Sequence, residues 1–580
     1  MNREKIIVYQ IFTRVFGNRN QTNKSNGSLA ENGSTKLNDI DEKVLRQIKE
    51  MGVTHVWYTG IIRHATTTNY SAYGIPQQNP EVVKGKAGSP YAITDYYDVD
   101  PDLAEDPQER MAEFEALIVR THKAGMKVVL DFVPNHVARQ YQSICAPAGV
   151  KGLGEDDDVN MHFSTHNNFY YCWGQPLDLS DVAPSNIPEH GSPTRSLSPK
   201  GEGKDSLSPE EDVYTEVPAK ATGNDQFSCR PNRNDWYETV KLNYGIDYCD
   251  AGGRSEHFDP IPDTWNKMTD ILLFWAAKGI DAFRCDMAEM VPAAFWAWAT
   301  DKVKFLYPDK AFIGEVYDPA QYRNYIAAGF DYLYDKVGMY DCMRDVICGR
   351  RPASDITQQW QATDDIRDHM LYFLENHDEQ RVASDFFAGD GRRGLPGHLV
   401  SVLLKRNPYM LYAGQEFGER GMECEGFSGK DGRTTIFDYW SVGSTWRGYF
   451  ERRKLKKEER ALSSDYQKIL QMANGEKAVR EGETFDLMYV NPQLADKQYA
   501  FLRKAGEELL IIVANFADNA AEIELVIPQH AFDFLQIPKQ EVTAIDLLDG
   551  SDLKIILRPE QPIPMVVPPL GGRVYKVVLF

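Results

Sequence analysis

The chain has 580 residues, which is too long for one compact domain and predicts two to four. Its 42% hydrophobic and 26% charged residues are typical of a soluble globular protein, and no apolar run is long enough for a transmembrane helix. The formal net charge of −21 argues against nucleic acid and against an anionic membrane surface as partners, because both repel a polyanion.

The N-terminal residues and the cysteines predict a cytoplasmic location. The opening "MNREKIIVYQ" contains no long apolar region, so we expect no signal peptide, with a leader removed from this chain as the alternative. The eight cysteines are scattered without a C-x-x-C pair, which predicts neither a zinc site nor a dense disulfide framework. We therefore expect free thiols in a reducing compartment.

Strand-like and helix-like segments alternate along the first two thirds of the chain. Residues 39–52 predict a helix, and residues 106–125 predict a second one, with Asp106 as its cap, Pro107 at its first position and Gly125 at its end. The predicted strands of this part are 5–12, 53–59, 126–133, 280–285, 311–316, 330–335, 370–375 and 408–414. Eight strands that alternate with helices predict a closed parallel barrel.

Two regions break this alternation. Residues 137–240 are too long for a simple connection and predict an irregular domain over the barrel mouth; their middle, 185–212, is rich in Ser, Pro, Gly and charge and is predicted to be flexible. After residue 475, short strands with turn signals predict an antiparallel β-sandwich. The predicted fold class is α/β: a (β/α)₈ TIM barrel (1–136 and 241–475) with an inserted domain after strand 3 (137–240) and a C-terminal β-sandwich (476–580).

Four of the predicted strands end in polar side chains. Barrel enzymes build their active sites at the C-terminal ends of the strands, so these side chains are expected to meet at one mouth. Arg284 and Asp286 are two residues apart on a strand and therefore point to the same side. The polar residues at the strand ends are Asp131, Asn135, His136, Arg284, Asp286, Glu315, His377, Asp378 and Arg381.

The carboxyl groups of this set suit the hydrolysis of a glycosidic bond. One carboxyl group protonates the leaving oxygen while a second attacks the sugar, at a separation of roughly 5–5.5 Å in a retaining mechanism. A neighbouring arginine lowers the pKa of the attacking carboxyl group. Taken singly, a Glu at a strand end usually caps a loop, and an Arg-x-Asp pair is as often structural as catalytic. Their coincidence at several strand ends favours one shared pocket.

The motifs that carry these residues resemble those of the α-amylase superfamily of retaining α-glucan glycoside hydrolases. They are "DFVPNH" (131–136), "AFRCDMAEM" (282–290), "GEVYD" (314–318) and "ENHDEQR" (375–381), with "VYQIFTRVF" near the N-terminus and "YAGQEFG" (412–418). The resemblance covers essentially the whole chain. It implies cleavage of α-1,4-glucosidic bonds in maltooligosaccharides or related α-glucans by double displacement.

The resemblance also implies a role for each residue of the site. Asp286 would be the nucleophile, Glu315 the general acid/base and Asp378 the residue that stabilises the transition state. Arg284 would hold Asp286 ionised, and Ser89 stands where the family usually has a histidine that contacts the sugar. The remaining substrate-binding residues would be Tyr91 as a stacking platform, His136 and His377 as hydrogen-bond partners of the sugar, and Arg381.

The departures from the family pattern concern cations and chain length. Glu289 and Met290 replace a Lys-His pair, which disfavours a preference for long starch chains. Lys241 replaces an Asp of calcium-binding amylases, so no cofactor is expected to be required and calcium is disfavoured at the usual site. The "KLN" form resembles the neopullulanase and cyclomaltodextrinase branch, although the chain starts directly at the barrel. A transglycosylase with the same three carboxyl groups stays open, as does a non-catalytic glucan-binding relative; oligomeric state is not indicated.

Overall fold

The computed structural model describes residues 4–182 and 213–580, so the segment 185–212, predicted to be flexible, lies outside the described residues. Eight parallel strands close into a barrel in which each strand pairs with its neighbours in sequence and β1 also pairs with β8. The barrel strands are β1 Ile7–Phe12, β2 His55–Thr59, β3 Lys127–Phe132, β4 Ala282–Cys285, β5 Ala311–Gly314, β6 Tyr332–Tyr334, β7 Met370–Phe373 and β8 Tyr409–Tyr412. The predicted fold class is confirmed.

Helices connect the barrel strands and cover the barrel. They are α1 Glu42–Glu50, α2 Arg110–Lys123, α3 Asp263–Ala277, α4 Ala293–Leu306, α5 Tyr322–Ala327, α6 Asp341–Ile347, α7 Asp355–Ala362, α8 Leu395–Leu403 and α9 Lys457–Gly475. Helix α2 begins four residues later than predicted. The Asp106 side chain accepts the backbone N–H of Gln108 in a turn, and the Asp106 N–H bonds back to Glu113, so residues 106–109 lead into the helix without belonging to it.

Side chains alternate between the barrel interior and the helix layer, as the strand period of two requires. On β4, Ala282 packs with Val129 and Ile313 in the interior cluster, and Phe283 faces outward against the aromatic rings of Phe132 and Phe312. Burying one such aromatic ring contributes about 1.5–3 kcal/mol. This alternation places Arg284 inside the barrel, where it is fully buried.

The segment between β3 and β4 is joined to the barrel end by short antiparallel pairs. His136–Ala138 pairs with Thr239–Lys241, and Ile246–Asp247 pairs with Ser255–Glu256. The segment between β2 and α2 contains a further pair, Ile62–His64 with Ile93–Val99. These pairs tie the connections over the mouth to the strand ends; the boundaries at 137 and 240 stay a prediction.

After α9 the chain forms antiparallel sheets. Six strands make one sheet in the order β9–β10–β11–β16–β13–β14, and β12 pairs with β15. These strands are β9 Glu483–Asp486, β10 Gln498–Ala505, β11 Glu508–Asn515, β12 Ala521–Leu525, β13 Gln540–Asp546, β14 Asp552–Leu557, β15 Ile563–Val567 and β16 Gly571–Val578. No helix in the described parts of the chain is long and apolar enough to cross a membrane.

Candidate active site

The polar strand ends meet around one buried guanidinium group. Arg284 lies in register with Asp131 of β3 and with Ile313 of β5, so the strand ends that carry Asp131 and Glu315 flank it. Arg284 Nη1 lies 2.8 Å from Asp286 Oδ1 and 3.2 Å from Asp131 Oδ1, and Nη2 lies 2.6 Å from Glu315 Oε2. One cation therefore contacts three carboxyl groups, and Arg284 and Asp286 lie on the same side of the chain, as the strand pattern predicts.

Aromatic rings pack against the Arg284 guanidinium and fix its position. The guanidinium carbon lies 5.1 Å from the centre of the Trp57 ring and 5.6 Å from that of Tyr334. The Trp57 indole also donates to Asp131 Oδ2 at 2.9 Å. Trp57 was not identified from the sequence because its partner is 74 residues away; the signal available was its place on a barrel strand two residues before the strand end.

Burial shifts the pKa of Asp286 against the expected direction. Loss of hydration raises the pKa of Asp286 well above its ordinary value; Arg284 lowers it, and Glu315, Asp378 and Asp131 raise it further. Burial likewise raises the pKa of Asp131 to about 6. The expectation that Arg284 simply keeps Asp286 charged is therefore incomplete, since a single arginine does not balance this number of buried acids.

Glu315 is held by donors on both of its oxygens. Its Oε2 accepts from Arg284 and, at 2.8 Å, from the Met287 backbone N–H, while Oε1 accepts from the Tyr317 hydroxyl at 2.7 Å. Met287 has a positive φ of 42°, a conformation that costs about 1–3 kcal/mol in a residue other than glycine. That strained turn directly after Asp286 aims the Met287 N–H at Glu315.

Asp378, His377 and Tyr91 form a second part of the same mouth. The Gln10 amide donates to His377 Nδ1 at 2.8 Å, which places the ring proton on Nε2, and Nε2 lies 3.1 Å from Asp378 Oδ2. Tyr91 stacks on the His377 ring and its hydroxyl bonds to Nε2. Burial, reinforced by Arg284, lowers the pKa of His377 well below its ordinary value, so the ring is neutral. The Asp378 side chain is 39% exposed and faces the open mouth.

His136 lies on the side of the mouth that the inserted segment covers. Its ring centre lies 5.2 Å from that of the half-buried Trp236, a residue not identified from the sequence. Burial, together with Lys241 and Lys84, lowers the pKa of His136 to about 3. Ser89, at the position expected for a sugar-contacting histidine, is buried and accepts the Tyr91 backbone N–H at 3.2 Å.

Arg381 is a predicted site residue that the structure does not bring to the carboxyl groups around Arg284. Its guanidinium is buried, donates to Glu375 at 2.9 Å and to the Ala413 carbonyl at 3.0 Å, and stacks over the Tyr412 ring. Through these contacts Arg381 ties the loop that carries Asp378 to Glu375 and to the end of β8. A direct contact of Arg381 with substrate stays a prediction.

Lys241, which the resemblance sets at the position of an expected acidic residue, lies beside the end of β3. Its ammonium lies 2.8 Å from Asn135 Oδ1 and 2.6 Å from Asp225 Oδ1, between the end of β3 and the inserted segment. Burial lowers the pKa of Lys241, and Asp225 opposes that effect. An ammonium on these two oxygens does not fit a divalent cation between them, because Ca²⁺ needs six to eight oxygen ligands.

The chain is similar to known members of the α-amylase family. Residues 10–189 match the family described as "Alpha amylase, catalytic domain". The chain is 22% identical over 429 residues to Alpha-amylase 3 of Dictyoglomus thermophilum, an alignment that covers 72% of this chain and 64% of the relative. It is 21% identical over 582 residues to Neopullulanase 2 of Thermoactinomyces vulgaris, which covers 96% of this chain and 77% of the relative.

A solved structure has the same fold. The α-amylase of Geobacillus thermoleovorans, solved in complex with acarbose, superposes with a TM-score of 0.63 at 20% identity, covering 99% of this chain and 98% of that one. At this identity the superposition shows the shared architecture. The family match, the relatives and this superposition therefore point to the same fold.

Proposed function

Since the chain belongs to the α-amylase superfamily, we propose that it is a retaining glycoside hydrolase that cleaves α-1,4-glucosidic bonds in maltooligosaccharides or related α-glucans. The observation that carries the proposal is the bridge that Arg284 makes between Asp286 and Glu315. A retaining mechanism needs two carboxyl groups roughly 5–5.5 Å apart, and two nitrogens of one guanidinium hold these two close together.

In the first step, the Glu315 carboxyl gives its proton to the glycosidic oxygen while the bond between that oxygen and the anomeric carbon breaks. Asp286 Oδ attacks the same carbon and forms a covalent glycosyl ester. The attacking carboxyl must be ionised, and its contact with Arg284 at 2.8 Å favours the ionised form at the moment of attack. Departure of the leaving sugar then exposes the ester to water.

In the second step, the Glu315 carboxylate takes a proton from water, and the water oxygen bonds to the anomeric carbon. The ester bond to Asp286 breaks, so both carboxyl groups return to their starting states. Asp378, at the exposed edge of the mouth beside the neutral His377, binds the sugar hydroxyl groups through both steps. Tyr91 lies under the same sugar.

The proposal includes independence from calcium at the Lys241 position. The Lys241 ammonium engages Asn135 and Asp225, so it supplies the positive charge that ties β3 to the inserted segment. The eight free cysteines support work in a reducing compartment such as the cytoplasm. The net charge of −21 supports a neutral glucan as the partner, in place of nucleic acid or an anionic membrane.

The test is incubation of the purified chain with a ladder of maltooligosaccharides, pullulan and cyclodextrin, followed by product sizing and by NMR of the first-formed anomer. We expect shorter maltooligosaccharides with the α-configuration retained. Products longer than the substrate would identify the transglycosylase alternative. Release of the β-anomer, or no cleavage of any of these glucans, would contradict the proposal.

A further inference from the structure

The two oxygens of the Glu315 carboxyl have different partners. Oε2 accepts from Arg284 Nη2 at 2.6 Å and from the Met287 N–H at 2.8 Å, and neither of these groups can accept a hydrogen bond in return. Oε1 lies 2.7 Å from the Tyr317 hydroxyl, which can donate or accept. A proton on Oε2 would meet two donors, so the transferable proton belongs on Oε1, beside Tyr317.

Glu289 holds the loop that carries Tyr317. Its Oε2 accepts the backbone N–H groups of Tyr317 at 2.8 Å and of Asp318 at 3.0 Å. The Tyr325 hydroxyl in turn donates to the Glu289 carbonyl at 3.1 Å, which fixes Glu289 itself. Glu289 is thus a carboxylate with two charge-assisted bonds to consecutive amides, a strong restraint on the direction of the Tyr317 side chain.

Tyr317 remains a neutral hydroxyl while Glu315 changes its charge. Burial raises the pKa of Tyr317 well above its ordinary value, and the neighbouring Glu315 and Asp378 raise it further. The side chain is half-buried and borders the mouth. A neutral hydroxyl in this place can accept from the protonated Glu315 and, after a rotation of its O–H bond, donate to the ionised one.

We propose that Tyr317 is a positioning residue that keeps the transferable proton of Glu315 on Oε1, and that Glu289 holds Tyr317 in place for this task. The inference rests on the proposed function. In the first step the Oε1–H bond breaks and the proton passes to the glycosidic oxygen, after which the Tyr317 O–H donates to Oε1. In the second step Oε1 takes a proton from the attacking water, and Tyr317 becomes the acceptor again.

The Tyr317 hydroxyl bonds to Glu315, so we expect a change in pH dependence after its removal to report the loss of that hydrogen bond. The charged and titratable groups around Glu315 and Tyr317 are Asp131, Arg284, Asp286, Tyr334, His377 and Asp378. Among the described residues, none of these groups bonds to the Tyr317 hydroxyl. That hydroxyl bonds to Glu315.

The experiment compares the pH profiles of kcat/KM for the full chain and for Tyr317→Phe. The variant loses a donor to the ionised Glu315, so we expect kcat/KM to fall roughly ten- to a hundredfold and the basic limb of the profile to move upward by roughly one pH unit. Glu289→Ala leaves the Tyr317 side chain present but frees its backbone, and we expect the same shift at smaller size. Glu289→Gln keeps an accepting oxygen and should change the profile least.

Tyr489→Phe, an exposed tyrosine after β9, is the matched control and should keep the wild-type profile. An unchanged basic limb in both Tyr317→Phe and Glu289→Ala, with an active wild-type chain, would overturn this inference and leave the proposed function intact. A wild-type chain that cleaves no α-glucan would overturn both. If Tyr317→Phe does not fold, as judged by its melting temperature, the limb shift of Glu289→Ala decides.

Discussion

Two buried arginine clusters of this chain look alike in composition and differ in charge. We call Arg284 with Asp131, Asp286 and Glu315 the acid-rich cluster, and Arg63 and Arg110 with Asp95 and Asp98 the balanced cluster. In the balanced cluster, Arg110 Nε lies 2.6 Å from Asp98, and Arg63 lies 3.5 Å from Asp98 and 3.3 Å from Asp95. Two cations there meet two carboxylates, whereas one cation meets three in the acid-rich cluster.

The difference teaches that charge balance, more than burial, separates a structural ion pair from a reactive one. Asp95 also accepts the Ser143 hydroxyl and the N–H groups of Ile144 and Cys145, so its oxygens are fully occupied by the fold. In the acid-rich cluster, the raised pKa of Asp286 shows that burial and like charges outweigh the arginine. An arrangement that is poor for stability places acids where chemistry can use them.

Asp286→Asn should break the comparison most strongly. We expect kcat to fall by at least about a thousandfold, because the amide cannot form the glycosyl ester. The melting temperature should stay the same or rise, because the change removes a buried acid whose pKa is raised. Turnover of maltooligosaccharides and thermal unfolding measure the two effects. A variant that retains near-normal turnover would contradict the assignment of Asp286 as nucleophile.

Arg284→Lys should harm chemistry more than folding. A lysine ammonium cannot present two nitrogens to Asp286 and Glu315 in the fixed geometry of the guanidinium, so we expect kcat to fall roughly a hundredfold. The free energy of unfolding should fall by less than in Asp98→Asn. The idea fails if the loss of stability is the larger effect and the purified variant turns over at the wild-type rate.

Asp98→Asn tests the balanced cluster and should give the opposite result. Removing this buried carboxylate leaves Arg63 and Arg110 without its charge, so we expect the free energy of unfolding to fall by about 3–5 kcal/mol. The kcat/KM of the folded variant should stay within about twofold of wild type, because no ion pair among the described residues joins the two clusters. Urea denaturation and initial rates provide the measurements; a variant of full stability would show that the cluster is not structural.

Asp131→Asn should change how stability depends on pH. The folded pKa of about 6 lies above the unfolded value, so the stabilising contribution of Asp131 is fully present below about pH 4 and is lost as the pH rises through 6. The variant lacks this loss. Its free energy of unfolding, relative to wild type, should therefore increase by up to about 3 kcal/mol between pH 4 and 7. A difference that is flat over this range, in urea denaturation at each pH, would count against the shift.

Chelation should have the smallest effect. Because the Lys241 ammonium engages Asn135 and Asp225, we expect EDTA and added CaCl₂ to leave both kcat/KM and the melting temperature unchanged. Activity that is lost with EDTA and restored by calcium would show that a cation at another place is required.

The positions of the proposed catalytic carboxyl groups could be predicted because they depend on local patterns. Hydrophobic runs of strand length locate the barrel strands, and the strand ends then place Asp286, Glu315 and Asp378 at one mouth. The predicted start of α2 was wrong because Asp106 and Glu113 accept backbone N–H groups of a turn before the helix. The residues of this turn are the same as those of a helix cap. Local pattern alone does not separate these two uses of an aspartate.

The supporting residues could not be predicted because their partners are distant in sequence. Tyr317 and Glu289 are 28 residues apart, and nothing between them signals that Glu289 binds the Tyr317 amide. The sequence predicts only that Glu289 affects the preference for substrate chain length. Its hydrogen bonds to the Tyr317 loop are seen in the folded chain alone. Arg381 shows the reverse case: the family resemblance implied a place on the substrate side, and its side chain turns toward Glu375.

The Lys241 ammonium is attached to the chain, so its place between Asn135 and Asp225 has no dissociation constant. Dilution cannot empty it, and no competing ion can take it by mass action. Its charge can be removed only by titration, and burial lowers the pKa at which that happens. The link between the barrel and the inserted segment therefore depends on pH. A link through a bound metal ion would instead depend on the concentration of that ion in solution.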